Sequence, residues 1–413
     1  MLWKSAHLSH VVLEDGRSLI DFTSGVLVAN VGHSHPKLAA ALQAAASSNL
    51  LHCYKNDFDE KREFHNAILK FADESFDDFA YSVTGAEAVE CALRMCRRRG
   101  RTVGKSKIIA FSGAFHGKTM GAAMLGDIAR YKEAYLSDEF LDLVRLPFPS
   151  TPATVGRLLE VLSTDGAVGC MFLEVVQGST LERIDDCALQ EIYEVSRKRG
   201  IWIVADEIQS GFYRCGRKFM SLCGGLGPDI LLLGKGITSS VPMSGLLLGA
   251  EASEFHFESL DCSTHIANPL SVAAALACLQ IYESKEFQES RMLAEHAFQK
   301  HMTSLRAAHF PGVLVISPGG LIGGLEFADV AEMNGTHYAR AFCSAARSIG
   351  LLVPDPIGKS ANIVKFSPPL SISLAALEAA FDIVRKALET ATSSGKPRCG
   401  QPLKNDSLTE KSK

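Results

Sequence analysis

The chain has 413 residues, of which 46 are acidic and 42 are basic, so its net charge at pH 7 is −4. Hydrophobic residues make up 47% and charged residues 21%, which is typical of a globular protein that buries its core without disulfide staples. Length, composition and charge therefore exclude a largely disordered chain, a fibrous protein, a small disulfide scaffold and a strongly basic nucleic-acid-binding surface.

The eleven cysteines are odd in number and form no C-x-x-C pair, and residues 1–16 lack the continuous apolar core of a signal peptide. We therefore expect reduced thiols in a cytoplasmic protein. No apolar run reaches the roughly 18–20 residues of a membrane span, so we expect neither a membrane nor nucleic acid as a partner.

The first hundred residues predict a hairpin followed mainly by helices. The hairpin joins a strand over 11–15 to a strand over 18–22 through a turn at Asp15-Gly16. Apolar periodicity then predicts a helix from Pro36, a helix over 60–72, a strand over 79–83 and a helix over 85–99.

In the middle of the chain, apolar strands alternate with helices. The predicted strands cover 107–111, 143–146, 168–174, 202–206, 230–233 and 245–248. The predicted helices cover 153–163, 188–199 and 270–284. This alternation is typical of a mainly parallel sheet with helices on both faces, that is, an α/β fold.

After about residue 290 the pattern changes to a smaller α+β unit. Its predicted elements are a helix over 291–309, strands over 313–317 and 321–327, a helix over 336–349, a strand over 362–366 and a helix over 374–391. We predict an N-terminal segment at 1–45 that belongs to the small domain, a large domain at 46–289, the C-terminal small domain at 290–392 and a disordered tail at 393–413.

Chemically useful residues follow the predicted strands at their carboxyl ends, where open parallel sheets bind ligands. Asp206 ends one strand, and Lys235 follows the next. Gly85 opens a helix after a third strand, and Phe115 follows a fourth. This set fits pyridoxal 5′-phosphate (PLP), which needs a lysine for a Schiff base, an acid beside its pyridine nitrogen and a phosphate site at a helix N-terminus.

Two other interpretations of these residues are weaker. A phosphate-binding P-loop needs an earlier glycine and a Ser or Thr after the lysine, but Asp229 and Gly236 stand at those places around Lys235. His33 and His35 lie close together without a further cluster of ligands, so no metal site is predicted.

Seven motifs, in order along residues 10–390, resemble those of a class III (ω-type) aminotransferase of PLP fold type I, similar to ornithine, acetylornithine and 4-aminobutyrate aminotransferases. They are N-V-G-H-S-H-P at 30–36, T-G-A-E-A at 84–88, F-H-G-K-T at 115–119, D-E-I-Q-S-G at 206–211, P-D-I to G-K-G at 228–236, Thr264 before N-P-L at 268–270, and S-P-P-L at 367–370. The resemblance implies a large domain with a mainly parallel seven-stranded sheet and a smaller α+β domain.

The resemblance also implies roles for individual residues. Lys235 would form the Schiff base and move a proton, and Asp206 would pair with the pyridine nitrogen. The other residues expected to bind the cofactor are Thr84, Gly85 and Ala86 at the phosphate, Phe115 and His116 at the ring, Gln209 at the phenolic oxygen, Glu174, and Thr264, which would reach the phosphate of the other subunit of a homodimer.

The implied activity is transfer of an amino group between a primary amine, an ω-amine or a specialised amine, and an aldehyde, ketone or 2-oxo acid, by a ping-pong mechanism. Two alternatives remain open. One is an aminomutase, racemase or decarboxylase that uses the same cofactor and fold, and the other is a non-catalytic binding protein.

The sequence departs from the family where many relatives recognise an α-carboxylate. Lys365 stands where many have an arginine, and Ser179 follows E-V-V-Q-G at 174–178 where many have a glutamate that pairs with that arginine. A lysine cannot form the planar two-bond contact that arginine makes with a carboxylate. We expect both residues to face the substrate, with carboxylate recognition that is weaker or built differently. The expected consequence is either an amino donor other than glutamate or a main substrate without an α-carboxylate.

Overall fold

The computed structural model describes residues 1–54, 56–128, 141–257, 263–330 and 333–394. Its strands are β1 (Trp3–His7), β2 (His10–Leu13), β3 (Ser18–Asp21), β4 (Asp78–Ser82), β5 (Lys107–Phe111), β6 (Leu143–Leu146), β7 (Val168–Leu173), β8 (Trp202–Asp206), β9 (Ile230–Leu233), β10 (Ser244–Leu248), β11 (Val313–Gly319), β12 (Ile322–Phe327), β13 (Leu351–Leu352) and β14 (Ile363–Phe366).

Right-handed helices cover most of the chain between these strands. They are Pro36–Ala46, Asp59–Phe71, Gly85–Val103, Met120–Leu125, Pro152–Thr164, Asp186–Arg199, Ala250–Phe255, Pro269–Glu283, Lys285–Ala308, Gly335–Ser348 and Leu374–Ser394. Among the described residues, no helix is both long and apolar enough to cross a bilayer.

A seven-stranded sheet forms the centre of the molecule, in the order β4-β10-β9-β8-β7-β5-β6. Every pair is parallel except those that β10 makes with β4 and β9, so the prediction of a mainly parallel sheet is confirmed. Successive residues of β5 enter different hydrophobic clusters, Ile109 and Phe111 one of them and Ile108 and Ala110 the other. Both faces of the sheet are therefore buried, which explains the uninterrupted apolar strands.

Two smaller sheets lie outside this centre. The predicted N-terminal hairpin is confirmed as β2 and β3, and β1 and β13 extend it to the order β1-β2-β3-β13. The short strand β13 pairs with β3 in parallel through Leu351 and Ile20, so the two ends of the sequence share one sheet. The C-terminal strands form a third sheet in the order β11-β12-β14.

Several predicted boundaries were wrong by a few residues. The helix predicted to begin at Arg291 begins at Lys285, and the helix predicted to end at Arg99 continues to Val103, where Gly104 ends it in a left-handed conformation. The predictions contained neither β1 nor β13 because two to five residues carry too little periodicity. Of the predicted tail, only residues 393 and 394 lie within the described chain, at the end of the last helix.

One turn of left-handed helix at Ser24–Leu27 connects the N-terminal sheet to the rest of the molecule. Its four φ angles lie between 47° and 63°, a conformation that costs roughly 1–2 kcal/mol for each non-glycine residue. Hydrogen bonds stabilise the turn: the Ser24 hydroxyl donates to the Ser367 carbonyl at 2.6 Å and accepts from Arg214 at 3.2 Å.

Arg214 is fully buried and joins three parts of the chain. Its guanidinium donates to Asn30 Oδ1 at 2.7 Å, to the Leu321 carbonyl at 2.9 Å and to the Pro368 carbonyl at 2.6 Å. Burial lowers the pKa of Arg214 to about 10, so the side chain stays charged at neutral pH. Arg214, which follows β8 of the central sheet, thus stabilises the packing of the N-terminal segment against the C-terminal sheet.

Candidate active site

A cavity of about 250 Å³ lies where β4, β5, β8 and β9 end at the carboxyl edge of the central sheet. Nine residues line it: Gly85, Ala86, Phe115, His116, Gly117, Asp206, Ile208, Gln209 and Lys235. All of these except Gly117 and Ile208 are among the predicted site residues, so one cavity brings together seven of them. The two others lie inside quoted motifs but carry no polar side chain that would have marked them.

The wall of the cavity next to β4 is the start of the helix Gly85–Val103. The Thr84 hydroxyl accepts from the Glu87 amide at 3.2 Å, and the Glu87 carboxylate accepts from the Thr84 amide at 2.8 Å. This capping box fixes the helix start and leaves the amides of Gly85 and Ala86 without helical partners. A Cβ at Gly85 would lie 2.9 Å from Ile208 Cδ1, so a larger residue here would require the Ile208 side chain to move.

Asp206 and His116 form a buried pair at the floor of the site. His116 Nδ1 lies 2.8 Å from Asp206 Oδ2, and the Ile208 amide donates to the other carboxylate oxygen at 3.1 Å. Burial opposes protonation of His116, but the hydrogen bond and charge of Asp206 outweigh it and raise the pKa of the imidazole. His116 Nε2 is buried without a hydrogen-bond partner among the described residues.

Lys235 directly follows β9 and Gly234. Its φ of 44° is in the left-handed region, a strain of roughly 1–3 kcal/mol that proteins keep mainly at functional positions. Burial lowers the pKa of the Lys235 amine, while the charges of Asp206 and Glu174 oppose that shift. Within the described chain the amine has no hydrogen-bond or ion-pair partner. A lysine with a lowered pKa provides more neutral amine, the form that acts as nucleophile and base.

Glu174 lies just outside the cavity, and its carboxylate accepts hydrogen bonds from the backbone of two loops. It accepts from the Phe115 amide at 3.1 Å and from the Gly178 amide at 2.9 Å. Burial raises its pKa, and the charge of His116 is the largest influence in the opposite direction. In this structure Glu174 therefore fixes the loop that carries Phe115 rather than lining the cavity itself.

The two predicted substrate residues make contacts within the protein. Lys365 Nζ donates to the Gly178 carbonyl at 2.7 Å and to Gln209 Oε1 at 3.0 Å, and the Ser179 hydroxyl donates to the Gly113 carbonyl. Burial, together with the charge of Lys235, lowers the pKa of Lys365 to about 7. Both residues lie beside the cavity but are not among those that line it.

Thr264 lies apart from this cavity. It is exposed in a turn just before the helix Pro269–Glu283 and is not among the residues that line the cavity of its own chain. Thr84 is also exposed, and its hydroxyl is used in the capping box described above.

The donor set of the cavity fits PLP. Lys235 supplies a buried amine, Asp206 a carboxylate, and the Gly85 and Ala86 amides a site for a phosphate. A Cβ at Gly117 would lie 2.8 Å from Ala86 Cβ, so glycine at this position keeps that side of the phosphate site open. The fold and the site together define a PLP-dependent enzyme of fold type I.

Comparison with known proteins identifies the family. The aminotransferase class-III family matches residues 2–388. A 2-aminoadipate transaminase of Pseudomonas putida is 32% identical over 394 residues, covering 91% of this chain and 92% of that protein. An acetylornithine aminotransferase of Brucella melitensis is 29% identical, covering 87% of this chain and 85% of that protein.

Solved structures show the same fold. An S-selective transaminase from Arthrobacter sp. superposes with a TM-score of 0.85 at 20% identity, covering 96% of this chain and 94% of that one. An ornithine aminotransferase from Toxoplasma gondii is described with partial occupancy of PLP at its active site. It superposes with a TM-score of 0.84 at 23% identity, covering 96% of this chain and 92% of that one. The chain belongs to the class-III aminotransferases. It is a PLP-dependent transaminase, and the predicted cofactor, fold and reaction class are confirmed.

Proposed function

We propose that Lys235 and Asp206 carry the chemistry of this transaminase. Bound PLP provides an electron sink for the bonds at the substrate carbon that bears the amino group. The neutral amine of Lys235 binds the cofactor and then moves a proton at the reacting carbon, as base and later as acid. Asp206 is the only acidic residue among the nine that line the cavity, and its charge stabilises a proton on the pyridine nitrogen.

We further propose that the amino donor is a primary amine recognised without an arginine clamp on an α-carboxylate, such as an ω-amine. The observation that carries this proposal is the double contact of Lys365 with the Gly178 carbonyl and Gln209. The Ser179 hydroxyl likewise donates its hydrogen bond within the protein, to the Gly113 carbonyl. None of the nine residues that line the cavity is an arginine. The relatives named for 2-aminoadipate, acetylornithine and ornithine indicate amino acids as a neighbouring substrate class.

Two donors that differ only by an α-carboxylate test this proposal. The visible absorption of the PLP-loaded enzyme should decay at least about tenfold faster with 4-aminobutyrate than with glutamate, because a missing charge-assisted pair costs about 1.5–3 kcal/mol. Stopped-flow absorbance at equal donor concentrations measures the two rates. Alanine and ethylamine form a second matched pair. Equal or faster decay with glutamate would show that the α-carboxylate is well recognised and would refute the proposed donor class.

We also propose that the enzyme is a homodimer in which Thr264 contacts the phosphate site of the other subunit. Thr264 is exposed, and the neighbouring segment 50–54 presents Leu51, which is 52% exposed. Asn268 donates to the Leu51 carbonyl at 3.1 Å, so the two segments form one surface with an apolar part. An exposed apolar side chain beside a predicted phosphate ligand is what a subunit contact would cover.

Substituting Thr264→Ala should weaken PLP binding by about fivefold, the loss expected for one hydrogen bond to a charged group, while the dimer persists. Light scattering after gel filtration measures the mass, and titration of apoenzyme with PLP measures affinity. Thr303→Ala is the matched control, because Thr303 is exposed and its hydroxyl donates to a carbonyl of its own helix. A fully active monomer would contradict the shared site.

We also propose a reducing, cytoplasmic location for the protein and retain the predicted division into domains. Nine free cysteines are present in the described residues and seven of them are buried, which is typical of a cytoplasmic protein. The boundaries at residues 45/46, 289/290 and 392/393 stay predictions.

A further inference from the structure

Lys365 connects two sheets at the edge of the active site. It lies on β14 of the C-terminal sheet, where it pairs with Gly324, and its side chain is buried. Its amine reaches Gln209, which follows β8, and Gly178, which follows β7. One side chain of the small sheet therefore contacts two loops of the central sheet next to the cofactor cavity.

The contact with Lys365 occupies the oxygen of the Gln209 amide. Both the neutral and the charged Lys365 amine have N–H donors for the two contacts, and the acceptor on Gln209 is its amide oxygen. Gln209 also lines the cavity, and its remaining polar group is the NH₂. The NH₂ of Gln209 is therefore the group left to donate to a bound molecule.

Gly178 confines the amide from another direction. A Cβ at this position would collide with the amide nitrogen of Gln209, so the backbone of Gly178 packs directly against that side chain. The Gly178 carbonyl is itself an acceptor for Lys365, and the Gly178 amide donates to Glu174. The Gln209 amide is thus enclosed by a loop that Lys365 and Glu174 both fix.

We propose that Lys365 is a positioning residue, which fixes the Gln209 amide so that its NH₂ donates to the oxygen of the bound cofactor. This inference rests on the proposed function, in which Gln209 contacts the cofactor. It gives Lys365 a task other than binding a substrate carboxylate. The packing of the small sheet is then coupled to cofactor binding through one hydrogen bond.

A double-mutant cycle on PLP affinity tests this proposal. Apoenzyme of wild type, K365M, Q209A and the double variant is titrated with PLP and followed by absorbance. We expect each single substitution to raise the Kd about five- to tenfold, as for one lost hydrogen bond, and the double variant to match Q209A within about twofold. K365R, which keeps the charge and the donors, should restore binding to within about threefold of wild type.

Independent effects that multiply in the double variant would overturn the proposal, as would wild-type affinity in K365M or in Q209A. An increase in KM for carboxylate-bearing donors with unchanged PLP affinity would identify Lys365 as a substrate residue instead, which also overturns it. Circular dichroism establishes folding, and K365Q enters the same cycle if K365M does not fold. Failure of the proposed donor class would appear only in the wild-type donor kinetics, which this binding experiment does not use.

Discussion

Replacing Lys235 by alanine is expected to lower transaminase activity by at least about 10³-fold and to remove the visible absorption band that depends on a lysine-bound cofactor. Lys235 is the only lysine that lines the cavity in the described chain, and burial lowers its pKa toward the range of a neutral base. No other described residue in the cavity can replace both its amine and its position. Absorption spectra and single-turnover assays measure the two effects.

Lys118→Ala is the matched control for this substitution. Lys118 follows Gly117 in sequence, but its side chain is exposed and does not line the cavity. We expect the band and the activity of this variant to stay within about twofold of wild type, as is usual for exposed positions. A Lys235→Ala enzyme that kept the band or a tenth of the activity would refute the assignment.

Replacing Asp206 by asparagine is expected to reduce kcat by about 10²- to 10³-fold, the range measured when one preorganised electrostatic contact is removed. Asparagine keeps the shape of the side chain and one oxygen that can still accept from His116 Nδ1. The negative charge is lost, and the Ile208 amide loses its acceptor oxygen. Because that charge raises the pKa of His116, the His116 pKa should fall, so the imidazole becomes neutral at a lower pH.

Steady-state kinetics and an NMR pH titration of His116 measure these changes. Glu207→Gln serves as the control, since Glu207 is the next residue and equally buried but faces away from the cavity. Its carboxylate accepts from the Ser210 hydroxyl at 2.6 Å and from the Ser221 amide at 2.5 Å. This variant should melt at a lower temperature with kcat within about threefold of wild type. Near-normal kcat in Asp206→Asn would contradict the proposed role of that charge.

Much of the site could be predicted because its residues stand next to strong local signals. Asp206 ends β8 and Lys235 follows β9 after one glycine. Every residue of both strands is buried, and such apolar runs are visible in the sequence. Gly85 follows Thr84, whose capping box is a local pattern. Parallel strands that end at one edge then bring these residues together without further information.

The contacts of Lys365, Glu174 and Arg214 could not be predicted in the same way. Each joins residues that are far apart in sequence, such as Lys365 with Gln209 or Arg214 with Pro368. Such contacts leave no periodic pattern in the sequence, because they depend on how two sheets pack against each other. The left-handed turn at Ser24–Leu27 was missed for a related reason: hydrogen bonds from Arg214 and to Ser367 stabilise a conformation that its local residues disfavour.

The parallel pairing of β3 with β13 determines when the protein can finish folding during synthesis. Residues 22–350 are synthesised between the two strands, so β3 is made long before its partner β13. At about 5–20 residues per second, the N-terminal hairpin waits on the order of tens of seconds with one edge unpaired. During that interval the unpaired edge of β3 is available for pairing with another chain, and its length of four residues limits that pairing.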